Sequence, residues 1–426
     1  MEWSLAIVAA TLLGVAAISG RLSGTAVTPT MLFVLVGLLV GPEVLGEIDL
    51  ESSSGTVRTL AEATLALVLF CDASRIDLRR LRRDVGVPVR LLGIGLPLTI
   101  ALGAVAAAFI FDRLAVEEAL ILAIVLAPTD AALGQAVVTE PRVPGRIRQG
   151  LNVESGLNDG ICVPLLFAAV AVADVQSEIS EGRGAATLVL EEIGYGVVGG
   201  VVGGLVVAAI VIHAGRRGLI AGQWRHVITG AGAALAYGIA SALGGSGFIA
   251  AFVAGMTFRL ALGKDPEDLN ELSEQVGNVL NGVTFVLFGA ILLGPALGEL
   301  TWDLVLYAVL SLTVVRMLPV AIAMLGTRAR PPTLGFLGWF GPRGLASIVF
   351  AVIVIEESNL PHEHLIVLAI YLTVGLSVFA HGLSAAPLAG RYARWYEQHP
   401  RDKTPPMESA ATDVTRTRGP AAAPRG

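Results

Sequence analysis

The feature that most limits how this chain can fold is the recurrence of apolar runs about as long as a bilayer is thick. A helix needs about 20 mostly apolar residues to cross the hydrocarbon core. Cutting the chain at charged or Gly/Pro-rich breaks yields thirteen such runs, at 3–20, 24–41, 57–73, 87–110, 116–137, 150–173, 187–213, 224–243, 246–262, 276–297, 301–326, 333–355 and 363–388. Inside lipid each segment must satisfy its own backbone polar groups, which a helix does and an open strand does not. The expected fold class is an all-α polytopic membrane protein. Composition agrees, since 15% of the 426 residues are charged where a soluble domain carries about 25%. The first run lacks a basic leader, Glu2 being its only early charge, and more spans follow at once. It therefore reads as a membrane helix and not as a secretory signal. Cys71 and Cys162 sit in apolar sequence without a spacing pattern and read as small buried hydrophobes.

Loop charges orient the spans, because cytoplasmic loops collect Lys and Arg. Arg75, Arg79, Arg80, Arg82, Arg83 and Arg90 follow the third run, and Arg142, Arg146 and Arg148 the fifth. Arg216, Arg217 and Arg225 follow the seventh, and Arg328 and Arg330 the eleventh. Loops after even-numbered runs are acidic instead: Glu43, Glu47, Asp49 and Glu51; Glu117 and Glu118; Glu178, Glu181, Glu191 and Glu192; Glu356 and Glu357. This alternation places the N-terminus outside and the C-terminus, with Arg391 and Arg394, in the cytoplasm of a multi-pass cell-membrane protein. Residues 1–397 form the expected transmembrane domain. Residues 398–426, rich in Pro, Ala, Thr and mixed charge, are expected to be a disordered cytoplasmic tail.

Two runs are interrupted alike. The fifth contains "VLAPTDAALG", with Pro128-Thr129-Asp130 in mid-span, and the twelfth "FLGWFGPRGLAS", with Gly341-Pro342-Arg343-Gly344. Proline removes a backbone donor, and irregular backbone at membrane depth is tolerated only where protein or a hydrated cavity covers it. Seven positions apart in order, the two runs point in opposite directions. That suits inverted repeats of six helices, runs 1–6 and 8–13, with discontinuous helices 5 and 12 crossing at a midplane site.

An ionisable group inside the bilayer costs at least about 2.5–3.5 kcal/mol and so marks function by default. In "NVESGLNDG", at about 100° per residue, Ser155 and Asp159 fall on one face, flanked by Asn158, as an oxygen-rich patch for a small cation or a proton. Glu154 lies roughly 140° around the helix and needs an arginine of its own, Arg316 or Arg343. Asp130 fits a cap on the N-terminus of the second half of its own interrupted helix. Thr129 offers a hydroxyl and a freed carbonyl to a hard cation. Asp72 lies at the inner end of the third run and Glu62 deeper within it. His213 and His381, near run ends, read as interfacial. "GVVGGVVGG" in the seventh run reads as packing glycines.

With "LFCDASRIDL", "APTDAA", "VESGLNDG" and "GPRGLASIV" in this order, the chain resembles a bacterial or archaeal sodium/proton antiporter. The branch is the exchanger-like one of the monovalent cation:proton antiporter superfamily. The resemblance implies a homodimer whose protomers each have dimerisation helices and a moving six-helix core. It makes Asp159 the carrier of cation and proton in turn. Ser155, Asn158, Thr129 and Asp72 become the companion cation donors, with Cys71 as the alternative occupant of the acidic position on the third helix. The family's glutamate–arginine pair falls on Glu154 with Arg316 or Arg343, Arg316 being favoured. Because Asn158 stands where the electrogenic sister branch has aspartate, electroneutral exchange of Na⁺ or Li⁺ for H⁺ is implied. K⁺ is the alternative cargo, and the lipid bilayer the setting. No cofactor, catalytic chemistry or nucleic-acid partner is expected. The rival classes are a channel, for which no filter motif appears, and an organic-anion carrier using Arg343.

Overall fold

The computed structural model describes residues 2–22, 24–46, 54–75, 86–177, 185–263, 267–357, 360–399 and 408. Among these residues there is no β-strand. The helices are α1 (Glu2–Leu22), α2 (Pro29–Val40), α3 (Ser54–Arg75) and α4 (Gly86–Ile110). The fifth run is split into α5 (Val116–Val125) and α6 (Gln135–Thr139). Then come α7 (Gly145–Ser177), α8 (Ala185–Arg216), α9 (Ile228–Ala242), α10 (Gly247–Leu262), α11 (Asp268–Gly298) and α12 (Trp302–Ala323). The twelfth run is split into α13 (Pro331–Trp339) and α14 (Leu345–Glu357), and α15 (Glu363–Gln398) closes the series. The protein is all-helical, and six of these helices are long and apolar enough by length and composition to cross a membrane.

One wide departure from the hydropathy cuts is at the start of α11. Its helical first turns carry Asp268, Asn270, Glu271, Ser273, Glu274 and Gln275 ahead of the predicted start at residue 276. An amphipathic onset escapes a cut made on apolarity alone, and Asn270 and Ser273 bury themselves on the inner side of the helix. Two further irregularities have no hydropathy signal. Five-residue hydrogen-bond loops replace the α-helical pattern at Leu91–Gly95 in α4 and at Phe288–Leu293 in α11. The arginines at 79, 80, 82 and 83, the acidic residues at 47, 49, 51, 178 and 181, and all of the tail except Gln398, His399 and Glu408 lie outside the described residues.

Small residues set how closely the helices approach, as expected where lipid supplies no hydrophobic drive between them. A Cβ at Gly199 or Gly203 would run into Ala240 or Ala236 of α9, and one at Gly200 or Gly204 into Ala250 or Ala254 of α10. The glycine pattern in α8 thus seats two neighbours on adjacent stripes. The buried apolar residues gather in two clusters that position the site. One joins Ile121, Leu122 and Val125 of α5 to Leu166 of α7, Ile348 and Phe350 of α14 and Ile370 of α15. The other joins Val137 of α6 to Ile147 of α7, Val320 of α12, Leu337 of α13 and Ala385 of α15. Each cluster takes one half of each interrupted helix.

The crossing of two interrupted helices as candidate functional site

The site begins with what proline does to a helix. Past α5, Pro128 cannot donate, and the carbonyls of Ala127 and Pro128 are left outside the helical ladder. Arg343, at the other interruption, fills that need: its Nη1 donates to Ala127 O at 2.6 Å and to Pro128 O at 3.0 Å. A guanidinium at the C-terminal end of a helix also meets the negative end of its dipole. The exchange is mutual. Asp130 N–H donates to Pro342 O at 2.7 Å, and Leu345 N–H, in the first turn of α14, donates to Asp130 Oδ2 at 3.2 Å. Each interruption therefore caps a half-helix of the other. The helix whose start Asp130 meets is α14, not the second half of its own run, which begins after Gly134. Residues 126–134 form an irregular stretch too long for Asp130 to reach that start, so the expected capping partner is corrected.

Two glycines make the exchange possible. A Cβ at Gly344 would collide with the Asp130 carboxylate, and a Cβ at Gly341 with the Arg316 guanidinium. Ser347 Oγ–H adds a bond to Val125 O at 2.8 Å.

α7 runs past the crossing and supplies the acids. Thr129 Oγ1 accepts from Asn158 Nδ2 at 2.8 Å and shares a hydrogen bond of 2.9 Å with Ser155 Oγ, so the first interruption is laced to α7 by three side chains. Thr129 and Asn158 are almost fully buried, while Ser155 and Asp159 each retain 8% of their exposure. Asn158 Oδ1 has no hydrogen-bond partner among the described residues. The patch thus presents a carboxylate, two hydroxyls and an unsatisfied amide oxygen in the protein interior. Among the described residues no three His, Cys, Asp or Glu side chains converge; a cation here would meet the Asp159 carboxylate together with neutral oxygens. That donor set suits a hard monovalent cation or a proton.

On α3, Asp72 is the residue turned toward α7: a Cβ at Gly156 would stand 3.6 Å from the Asp72 Cβ. Cys71 is buried and lines a small cavity with Ser273, Glu274, Asn278 and Asn281 of α11. Glu154 turns away from the oxygen patch to Arg316 of α12, whose Nη1 and Nη2 donate to Oε1 at 2.5 Å and Oε2 at 2.8 Å. Both side chains are 3% exposed. Arg343, fully buried, keeps Nε and Nη2 without hydrogen-bond partners among the described residues.

His381 is not interfacial. It lies in the interior of α15 with 0% exposure, because α15 continues to Gln398, well beyond the apolar run that suggested an end near residue 388. Its Nε2–H donates to Trp339 O at 2.9 Å, the other ring nitrogen accepts from Ser377 Oγ at 3.1 Å, and Ser377 Oγ in turn accepts from Arg343 N–H at 2.6 Å. This relay satisfies a carbonyl before the second interruption and an amide within it. Sequence reasoning passed over Ser377; a polar pair four residues apart in an apolar helix was the available signal.

The family profile described as "Sodium/hydrogen exchanger, transmembrane" matches residues 7–391. A K(+)/H(+) antiporter, NhaP2, of Shewanella oneidensis is 26% identical over 373 residues, covering 84% of this chain and 62% of that protein. Na(+)/H(+) antiporter 2 of Zygosaccharomyces rouxii is 28% identical over 371 residues, 78% of this chain and 44% of its own. This chain therefore spans between about two-fifths and three-fifths of the length of these relatives. In fold it is similar to the sodium proton antiporter MjNhaP1 of Methanocaldococcus jannaschii solved at pH 8. The TM-score is 0.74 at 20% identity, covering 90% of this chain and 100% of that one.

Proposed function

The chain belongs to the sodium/hydrogen exchanger family of multi-pass membrane proteins, and from that membership we propose that it is a secondary antiporter exchanging Na⁺ or Li⁺ for H⁺ at Asp159. The observation that carries the reading is the buried carboxylate of Asp159 on the same stretch of α7 as Ser155 and Asn158, both of which hydrogen-bond Thr129 where the two interrupted helices cross. Asp159 is the shared seat: cation and proton exclude each other there. Ser155, Thr129 and the Asn158 amide oxygen complete the cation's shell, with Asp72 at its edge. Glu154–Arg316 and the Asp130/Arg343 caps hold the seat's walls in place.

Only the loaded, neutralised seat crosses, because an empty Asp159 carboxylate moved through the barrier costs several kcal/mol, on the order of 2.5–3.5 or more. With one titrating carboxylate, a cation exchanged for a proton moves no net charge. The working unit is a homodimer in the cell membrane, with the N-terminus outside and the C-terminus cytoplasmic. Each protomer carries dimerisation helices and a six-helix core that moves against them. K⁺ is the second reading for cargo, favoured by the Shewanella relative's name. The experiment is collapse of a pH gradient in proteoliposomes on adding Na⁺, Li⁺ or K⁺ separately. The wild-type chain dissipates the gradient with its cargo cation, and Asp159→Asn reduces this to the empty-liposome rate. Cation-dependent proton flux retained in Asp159→Asn would sink the assignment.

A further inference from the structure

Beyond the end of α15, Glu408 is described and fully buried, against the start of α13. Its Oε1 accepts from the Arg330 backbone N–H at 2.8 Å and from Thr333 Oγ1 at 3.0 Å, and its Oε2 accepts from Arg330 Nε at 2.6 Å. The Tyr396 hydroxyl donates to the Glu408 backbone carbonyl. The walls are equally committed. Since the Thr333 proton goes to the carboxylate, Tyr392 O–H must donate to Thr333, at 2.9 Å. The Arg330 guanidinium donates from Nη1 to His399 O at 2.7 Å and lies over the Trp395 ring at 4.3 Å and the Tyr396 ring at 5.1 Å.

The local sequence explains why an anion is held at this point. Pro331 and Pro332 occupy the first two positions of α13 and have no N–H to offer. The Arg330 amide is therefore the foremost backbone donor at the positive end of the helix. The adjoining guanidinium, 7% exposed as a residue, adds a charge that burial obliges to be paired. Thr333, fully buried, adds a hydroxyl. Backbone amide, guanidinium and hydroxyl converge on a planar anion of carboxylate size, with both oxygens addressed, while two aromatic faces hold the guanidinium in place.

We propose that the start of α13 and the end of α15 form a carboxylate-binding pocket, and that its ligand is the chain's own Glu408. Glu408 then ties the base of α13 to the end of α15. α13 leads directly into Gly341–Gly344, so the docked carboxylate braces one arm of the crossing from below. This holds whichever cation the protein carries, so it fails or survives apart from the transport reading.

The test is thermal unfolding of the full-length chain in detergent, comparing wild type, Glu408→Ala and Glu408→Gln in sodium formate and in sodium chloride at equal ionic strength. Both variants are expected to melt a few degrees, about 2–4 °C, below wild type in chloride. Formate, a free carboxylate small enough for the vacated pocket, restores most of the loss in Glu408→Ala and leaves wild type unchanged. Wild-type melting of Glu408→Ala in chloride overturns the proposal. So does formate acting no better than chloride on that variant, or raising both proteins equally.

Discussion

Glu154 and Asp159 show how two acids on one helix come to different environments. They stand five residues apart on α7, so one points to α12 and the other to the crossing. Glu154 finds a bidentate arginine with no exposure to spare. Asp159 keeps a trace of access beside hydroxyls and an amide oxygen. Truncating one member of a buried ion pair strands the other, at a cost of about 3–5 kcal/mol. Glu154→Gln is therefore expected to lower the melting temperature sharply, whereas the double variant Glu154→Leu/Arg316→Met, with no stranded charge, melts above the single one. Thermal melts of the purified proteins decide it, and a double variant less stable than Glu154→Gln would contradict the buried-charge account. That Glu154 lies off the Asp159 face was legible from helical angle alone. Which arginine it meets was not, since Arg316 and Arg343 both stood in apolar sequence.

Among elements, the crossing of the interrupted helices is held by a swap: Arg343 meets the end of α5, and Asp130 meets the start of α14. Proline and glycine announced both interruptions in the sequence. The swap itself could not be read there, because it depends on two segments more than 200 residues apart arriving at one point. Gly344 is the tightest spot in it. Gly344→Ala forces the Asp130 carboxylate away from Leu345 N–H, losing a cap of about 0.5–2 kcal/mol and adding overpacking of about 1–3 kcal/mol. Exchange in proteoliposomes is expected to fall clearly below the wild-type rate, because the crossing is displaced. Gly335→Ala, in α13 where an added Cβ meets nothing, is expected to keep wild-type exchange and to gain up to about 1 kcal/mol of helix stability. Equal behaviour of the two variants would remove the special role of Gly344.

For the whole molecule, the proposed sharing of one seat by cation and proton would make protons a competitive inhibitor. Below the pKa of the seat, the apparent KM for the cargo cation should rise about tenfold per pH unit while the maximal rate holds, as mass action at a single site requires. Initial rates across a pH series at several cation concentrations test this; an effect confined to the maximal rate would speak against competition at Asp159. The chain by itself determined the all-helical membrane class, the positions of both interruptions and the polar face of α7. These rest on short-range physics, namely apolar run length, the missing proline donor and the turn angle of a helix. Only the tertiary structure decided that Arg316 takes Glu154, that Asp130 caps α14, that His381 and Ser377 serve the second interruption, and that Glu408 fills the base of α13. Each of these pairs a buried polar group with a distant one. The need for a partner can be read in a sequence, but its identity is fixed by which helices the packing brings together.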